Sequence, residues 1–324
     1  MNKTSAAVII GRNEGERLKR CIDSTLPHFD FTVYVDSGST DQSVGYAASK
    51  GCMVVELDTT VMFSAARARN EGYKRILASQ PGLKYVQFID GDCELQPNWS
   101  QTAITFLDQN SRIAALCGRR RERFPERSVY NQLCDWEWAI QPGEIEYCGG
   151  DVLMRTEAFS EVGGYRDSMI AGEEPELCVR LRNSGWKIYC LDQEMTLHDA
   201  SILKFSQWWQ RAKRSGYAYA AGAWLHGRTE EKMWLRQSLR SWIWAFCFPI
   251  TALVIGLTIS AWGFFLFLAY PAQALRQFSA DTGPARDRAT RSIFNSMARF
   301  PELAGQFKFL TSLIRGKSQL IEYK

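Results

Sequence analysis

Between Ser241 and Leu275 the chain runs SWIWAFCFPITALVIGLTISAWGFFLFLAYPAQAL, 35 residues without one Asp, Glu, Lys or Arg. Such a run cannot stand as a solvated surface, so either protein or lipid must cover it. One bilayer crossing takes about 20 apolar residues, and this stretch is longer than one crossing and short of two. Pro249, Gly256 and Gly263 are helix breakers within it, which predicts a hairpin of two short helices or a shallow re-entrant one. Arg236 and Arg240 precede the run, and Arg276, Arg286 and Arg288 follow it. Basic residues on both flanks predict that both ends stay on the cytoplasmic side of an inner membrane. A very apolar core hairpin of a soluble protein would have the same composition.

The rest of the chain reads as a globular body. Its 324 residues allow one large domain or two, and 46% apolar content excludes a disordered chain. Met1-Asn2-Lys3-Thr4-Ser5 leads straight into a short apolar strand rather than a long apolar core. No cleavable leader is therefore expected, and the bulk of the protein is expected to be cytosolic. Nine cysteines, an odd number without C-x-x-C spacing, argue against a disulfide framework and against a zinc site. The net charge of +4 is modest, but Arg119, Arg120, Arg121 and Arg123, and then Lys204, Arg211, Lys213 and Arg214, concentrate it locally. Those clusters suit phosphate groups or an anionic membrane surface; no motif for reading nucleic acid is present, and nucleic acid is not an expected partner.

Up to residue 203 strands and helices alternate. Ala6 to Ile10 is an apolar strand, followed by Gly11-Arg12-Asn13-Glu14 and a helical pattern through Leu18, Cys21, Ile22 and Leu26 that stops at Pro27. Phe31 to Val35 predicts a second strand ending at Asp36, Cys52 to Leu57 a third, Ser64 to Ala78 a helix, and Lys84 to Ile89 a fourth strand. A helix over Trp99 to Leu107 and a strand over Ile113 to Cys117 follow, then helices around Thr156 to Val162 and Glu174 to Ser184. Short connections between such elements predict an α/β fold with a mostly parallel sheet and flanking helices. After Leu203 the chain turns helical, aromatic and basic. We expect a body over 1–203, interface helices over 204–240 with Trp208 and Trp209 at headgroup level, the hairpin over 241–275, and a helical segment over 276–324.

The segment KYVQFIDGDCEL, Lys84 to Leu95, sets two carboxylates, Asp90 and Asp92, just beyond the fourth strand. In open α/β sheets ligands bind outside the carboxyl ends of the strands. Two carboxylates this close call for a cation or a proton between them, and oxygen donors of this kind suit Mg²⁺ or Mn²⁺ carrying a phosphate-bearing substrate. An Asp-Gly-Asp sequence is also ordinary turn chemistry.

Four motifs in order carry a family signature: AAVIIGRNEGERLKRCIDS, VDSGSTDQS, FIDGDCEL, and GGDVLMRTEAFSEVGGYRD followed by GEEPELCVRLRNSGW. Their order and spacing over roughly residues 4–200 resemble the family 2 glycosyltransferases, inverting enzymes of the GT-A fold, here of a membrane-anchored bacterial type. The resemblance implies a nucleotide-diphosphate sugar donor (UDP-, GDP- or dTDP-linked), a divalent metal, and direct displacement at the anomeric carbon by an acceptor hydroxyl. Asp36 matches the aspartate that accepts hydrogen bonds from the nucleotide base, although it would also start a plain turn. Arg12 and Glu14 line the first strand-to-helix turn, where helix amides favour an anionic group, and Glu14 is equally placed to begin its helix. Asp41 reads as a helix-start residue. Arg67 and Asn70, in SAARARNEG, match positions near base and ribose, while Arg69 reads as an exposed helix face.

In the same resemblance Asp92 reaches the metal and Asp90 holds the ribose or the metal's water. His198 is a candidate further ligand or diphosphate contact, and a lone histidine beside Asp199 is equally a satisfied structural residue. Glu173-Glu174 stands where family members usually have Glu-Asp, so Glu174 matches the general base, with Glu173 as runner-up and Glu176 structural. Gly149-Gly150-Asp151 resembles the loop beside the transferred sugar, with Asp151 a candidate for sugar or acceptor hydroxyls. Gln207-Trp208-Trp209-Gln210-Arg211 differs in order from the Gln-x-x-Arg-Trp segment of processive members, so no polymerising synthase is expected; Arg211 and Arg214 are expected near phosphates.

The resemblance, together with the expected membrane attachment, implies transfer of a sugar to a lipid-linked glycan in cell-surface or exopolysaccharide assembly. The competing readings are transfer to polyprenyl phosphate, which needs no base, and a silent nucleotide-sugar-binding assembly factor, against which Asp90, Asp92 and Glu174 speak.

Overall fold

A computed structural model describes residues 4–316. Met1-Asn2-Lys3 and the end of the expected C-terminal helix, with Lys317, lie outside the described residues. The chain divides after Leu203 into two compact units.

The first unit opens with β1 (Ser5–Gly11), α1 (Glu16–Thr25), β2 (Phe31–Asp36), α2 (Ser43–Ser49), β3 (Met53–Glu56), α3 (Ala65–Ser79) and β4 (Tyr85–Asp90). The four strands pair in parallel in the order β3-β2-β1-β4. β1 is buried on both faces, which is why it reads as an unbroken apolar run rather than an alternating one. The helix α1 buries Leu18, Cys21, Ile22 and Thr25, an i, i+3, i+4, i+7 stripe. Ser64 starts α3 as expected, its side chain accepting from the Arg67 N–H.

Beyond β4 come β5 (Cys93–Leu95), α4 (Trp99–Gln109), β6 (Ile113–Glu122), α5 (Val129–Glu137), β7 (Gly143–Ile145), β8 (Val152–Arg155), α6 (Thr156–Glu161), α7 (Glu173–Asn183) and β9 (Lys187–His198). They extend the sheet as β4-β8-β6-β9-β5, with β7 also on β9. Of the pairings here only β6–β9 is parallel. The parallel expectation therefore describes the first four strands, and the whole sheet is mixed. β6 does not stop at Cys117 but carries Arg119 to Glu122 onward through register shifts against β9. Gly118 makes the passage possible: a Cβ there would stand 2.5 Å from the Gln193 carbonyl and 2.6 Å from Trp99. The end of β9 thus lies between two strands, with His198 paired to Cys93 on β5 and to Glu122 on β6.

The second unit is helical: α8 (Phe205–His226), α9 (Leu235–Trp242), α10 (Phe248–Thr258), α11 (Ala269–Ala280), α12 (Ala285–Met297) and α13 (Arg299–Arg315). α8 and α13 touch backbone to backbone at Gly216 and Gly305, where an added Cβ would meet the Glu302 and Lys213 carbonyls at 1.9 Å. A hairpin does form from the charge-free run, but its break falls at Ile259-Ser260. Pro249 is accommodated at the start of α10 by a wide π-type turn over Ile243–Cys247, which relieves the clash of its ring with the preceding turn. Gly256 and Gly263 are the contact between the two legs rather than the break, a Cβ on Gly263 lying 2.5 Å from the Gly256 nitrogen. Among the described residues the helix run Leu235–Thr258 is long and apolar enough to cross a membrane, with 11% of its most apolar window buried. Leu257, Ile259, Trp262 and Phe265 all face outward around the hairpin tip.

Candidate active site

The parallel strands deliver three chain segments to one edge. Register pairs Gly11 with Asp36 and Ile10 with Asp90, so β1, β2 and β4 end together. β2 and β3 lie to one side of β1 and β4 to the other, and the reversal of strand order at β1/β4 is where open α/β sheets take ligands.

Asp90 closes β4 there. Its carboxylate meets Arg69 Nη2 at 2.8 Å and Arg120 Nη2 at 3.4 Å. Its backbone N–H donates to Asp151 Oδ1 at 2.9 Å. Burial opposes its charge, but the two guanidiniums outweigh burial and hold the carboxyl well below the usual range.

Two residues on, Asp92 is 6% exposed and faces a different partner, with its Oδ2 3.2 Å from His198 Nε2. The imidazole stands with Trp138 edge-on at 4.6 Å and Glu122 3.8 Å from Nδ1. Burial and the charge of Arg120 push its pKa down, so the ring is neutral. A carboxylate oxygen beside a neutral imidazole nitrogen is a donor set for Mn²⁺ or a similar cation. Cys93 Sγ lies with them inside 4.8 Å, but burial drives its thiol pKa well up, so it is a protonated neighbour rather than a ligand.

α7 supplies the third group. Its first turn holds Glu173, Glu174 and Glu176, on the positive end of the helix. Glu176 is spent on Arg166 and Arg180 and is structural, as expected. Glu173 and Glu174 both reach Arg69 Nη1, at 3.1 and 3.0 Å. Glu174 keeps 16% of its side chain exposed. Desolvation, and then the charge of Glu173, push its pKa up to about 7 against the pull of Arg69. Gly150 caps the cluster: a Cβ there would come 2.3 Å from Arg69 Nη2, 3.0 Å from Asp90 and 3.1 Å from Glu174. Four carboxylates, Asp90, Asp151, Glu173 and Glu174, thus surround two guanidiniums, Arg69 and Arg120, with Asp92 on His198 beside them. A site with that surplus of negative charge fits a divalent cation, a proton on Glu174, or both.

Residues 6–163 match the model of glycosyl transferase family 2. That match covers just under half of the chain, from β1 to α6. Among its relatives, a probable glucomannan 4-beta-mannosyltransferase of Arabidopsis thaliana is 26% identical over 53% of this chain and 34% of its own length. A glucosyl-dolichyl phosphate glucuronosyltransferase of Haloferax volcanii is 24% identical over 39% of the chain and 46% of its own length. The chain thus spans less than half the length of either of these curated relatives. Among solved structures, the mannosyltransferase PcManGT of Pyrobaculum calidifontis, in complex with GDP-Man and Mn²⁺, superposes with a TM-score of 0.60. That likeness covers 94% of this chain and 86% of the other at 18% identity, and it shows a shared GT-A fold.

Against the family motifs the structure sorts the expected site residues. Asp90 and Glu174 meet at Arg69, and Asp92 meets His198. Asp151 is nearly fully buried, its oxygens accepting from the Asp90 N–H and from the Thr196 hydroxyl at 2.8 Å, so it fixes Asp90 rather than facing an acceptor. Asp36 accepts from the Tyr34 hydroxyl and from the Gly38 and Ser39 N–H groups, so its carboxylate builds the turn after β2. Asn70 clasps the loop after α6, donating to the Tyr165 carbonyl and Asp167 and accepting from the Tyr165 N–H. Arg67 pins the loop before α3 through the Asp58 and Val61 carbonyls. Arg12 lies over the Phe63 ring at 4.7 Å, and Glu14 pairs with Arg17 at 2.6 Å. Asp41 accepts from the Gly15 and Ser43 N–H groups and so serves the starts of two helices. Arg211 belongs to α8 in the second unit.

Arg69 overturns its reading as an exposed residue, being 1% exposed. The signal was in the phase of α3, whose buried stripe Ala66, Arg69, Tyr73, Ile76 includes it at regular helical spacing. Arg120 and Trp138 carried no comparable signal, because the strand extension that places Arg120 depends on pairing with distant β9.

Proposed function

We propose that the chain is a metal-dependent inverting glycosyltransferase that moves a sugar from a nucleotide-diphosphate donor to the hydroxyl of a lipid-linked glycan. The observation that carries this reading is the separation of two acidic roles at one sheet edge. Asp92 is paired with a neutral histidine, while Glu174 is partly exposed and poised near 7. Asp92 and His198 are the residues that would hold Mn²⁺ or Mg²⁺, whose charge would offset that of the departing diphosphate. Asp90, immobilised by Arg69 and Asp151, serves the ribose or the cation's water.

In the displacement the acceptor oxygen bonds to the anomeric carbon as the bond to the diphosphate breaks. Glu174 takes the acceptor's proton, which a carboxyl with a pKa near the operating pH does well. A phosphate acceptor would need no such base, so Glu174 favours a hydroxyl. The acceptor class draws support from the Haloferax relative, whose name couples a lipid phosphate to a glucosyl group. The outward apolar hairpin supports anchoring at a membrane, with the first unit on the cytoplasmic face and the pathway one of cell-surface polysaccharide assembly. In this reading 204–240 are interface helices, with Arg211 near phosphates, and 276–316 pack on the membrane side.

The test is to incubate the purified chain with Mn²⁺ or Mg²⁺ and a panel of GDP-, UDP- and dTDP-sugars, adding extracted membrane lipid. Metal-dependent nucleotide release with label appearing in lipid is expected. Release from none of the donors would refute the enzyme, and label on free polyprenyl phosphate would move the acceptor to the rival class.

A further inference from the structure

We propose that Arg69 is a positioning residue that ties Asp90 and Glu174 to one guanidinium, so that the acid serving the donor and the acid serving the acceptor are set at a fixed separation. The inference rests on the reading of Glu174 as base and deepens it.

The geometry needs arginine. Nη2 reaches Asp90 on β4 while Nη1 reaches both Glu173 and Glu174 on α7, so the two nitrogens of one rigid fork span two elements. The carrier is α3, whose own N-cap and whose Asn70 clasp to the 165–167 loop hold it in place. Tyr165 lies beneath the guanidinium, 5.4 Å from ring centre to Cζ. Gly150 leaves room for the fork to lie between the two acids, since any larger residue would occupy the position of Nη2. A lysine would supply the charge but only a point of contact.

The charges around Glu174 give the residue a second consequence. Facing it are Arg69 from α3, Asp90 from β4, Glu173 and Cys178 from α7, Tyr165 from the loop after α6 and Cys148 from the loop before β8. Arg69 is the single cation among them. Its removal leaves Glu174 facing the carboxylates of Asp90 and Glu173 without the guanidinium they share, and an opposite charge at this range is worth about 1 to 3 pH units.

The experiment follows the Glu174 carboxyl directly by ¹³C NMR of glutamate-labelled full-length protein, with Glu174→Gln assigning the resonance, in wild type, Arg69→Lys and Arg69→Met. The expected midpoint is near 7 in wild type, within a few tenths of that in Arg69→Lys, and at least one unit higher in Arg69→Met. Should Arg69→Met not fold, Gly150→Ala displaces the fork without removing it, and the same upward movement is expected. Activity is read beside it: Arg69→Lys should keep the wild-type pH profile while kcat falls about tenfold or more, because charge is kept and geometry lost. An unmoved midpoint in Arg69→Met, or in Gly150→Ala in its place, would overturn the proposal, as would full kcat in Arg69→Lys. The titration needs no substrate, so an inactive wild type would refute the proposed function while leaving this readout intact.

Discussion

The two acids that matter most stand at the same sheet edge and are neutralised in opposite ways. Asp92 has a neutral imidazole 3.2 Å away and the Cys93 thiol at 3.7 Å. Glu174 shares a buried guanidinium with Glu173 and Asp90. The first sets a carboxylate oxygen beside an imidazole nitrogen, donor types that suit Mn²⁺; the second leaves a carboxyl that accepts a proton near neutrality. Arg69 fixes Asp90 and Glu174 in place, and in the proposed function the histidine side is the one that would hold a metal.

The largest break in that contrast is Asp92→Ala, expected to lower metal-dependent nucleotide release by about 10³-fold, since charge stabilisation of the leaving group is lost; initial rates at saturating Mn²⁺ measure it. Next comes Glu174→Gln, expected to lower sugar transfer by about 10²- to 10⁴-fold while nucleotide and Mn²⁺ binding stay within a few-fold of wild type. Calorimetric titration beside the transfer assay separates the two, and equal loss of binding would remove the distinction between the sites. His198→Gln is expected to weaken Mn²⁺ binding about 10- to 100-fold, with the acid limb of the pH profile unmoved.

The smallest effect sharpens the base side through pH. Glu174 works as a base only when ionised, so kcat should rise through pH 7 and level off above it. Stability runs the other way. A carboxyl whose folded pKa is raised from 4.5 to about 7 contributes stability present below the lower value and lost as pH climbs through the upper one. Wild type should therefore lose a little thermal stability between pH 5 and 8 that Glu174→Gln does not lose. A parallel loss in both proteins would assign the pH dependence to other groups.

Much of this was legible in sequence because it is local. The β1 and β4 runs, the α1 stripe and the helix from Ser64 depend on neighbours a few residues apart, and the β4 run placed Asp90 and Asp92 beyond its end, while Glu174 came from the family resemblance. What escaped was set by distant partners. Arg120 reaches Asp90 because β6 continues along β9, and His198 meets Asp92 because the end of β9 lies beside β5. Asp36 and Asn70 matched site positions by motif, yet their hydrogen bonds close turns and loops that sequence spacing does not reveal. In the second unit, composition foretold a hairpin, but the glycines that looked like breaks are the surface on which its legs meet.

The most direct test of the central claim is Mn²⁺ binding followed by electron paramagnetic resonance, with and without a nucleoside diphosphate, in wild type and Asp92→Ala. The account predicts one bound Mn²⁺ in wild type, tightened by the nucleotide, and loss of that site in Asp92→Ala. Equal binding in the two proteins, or none in either with nucleotide present, would contradict it.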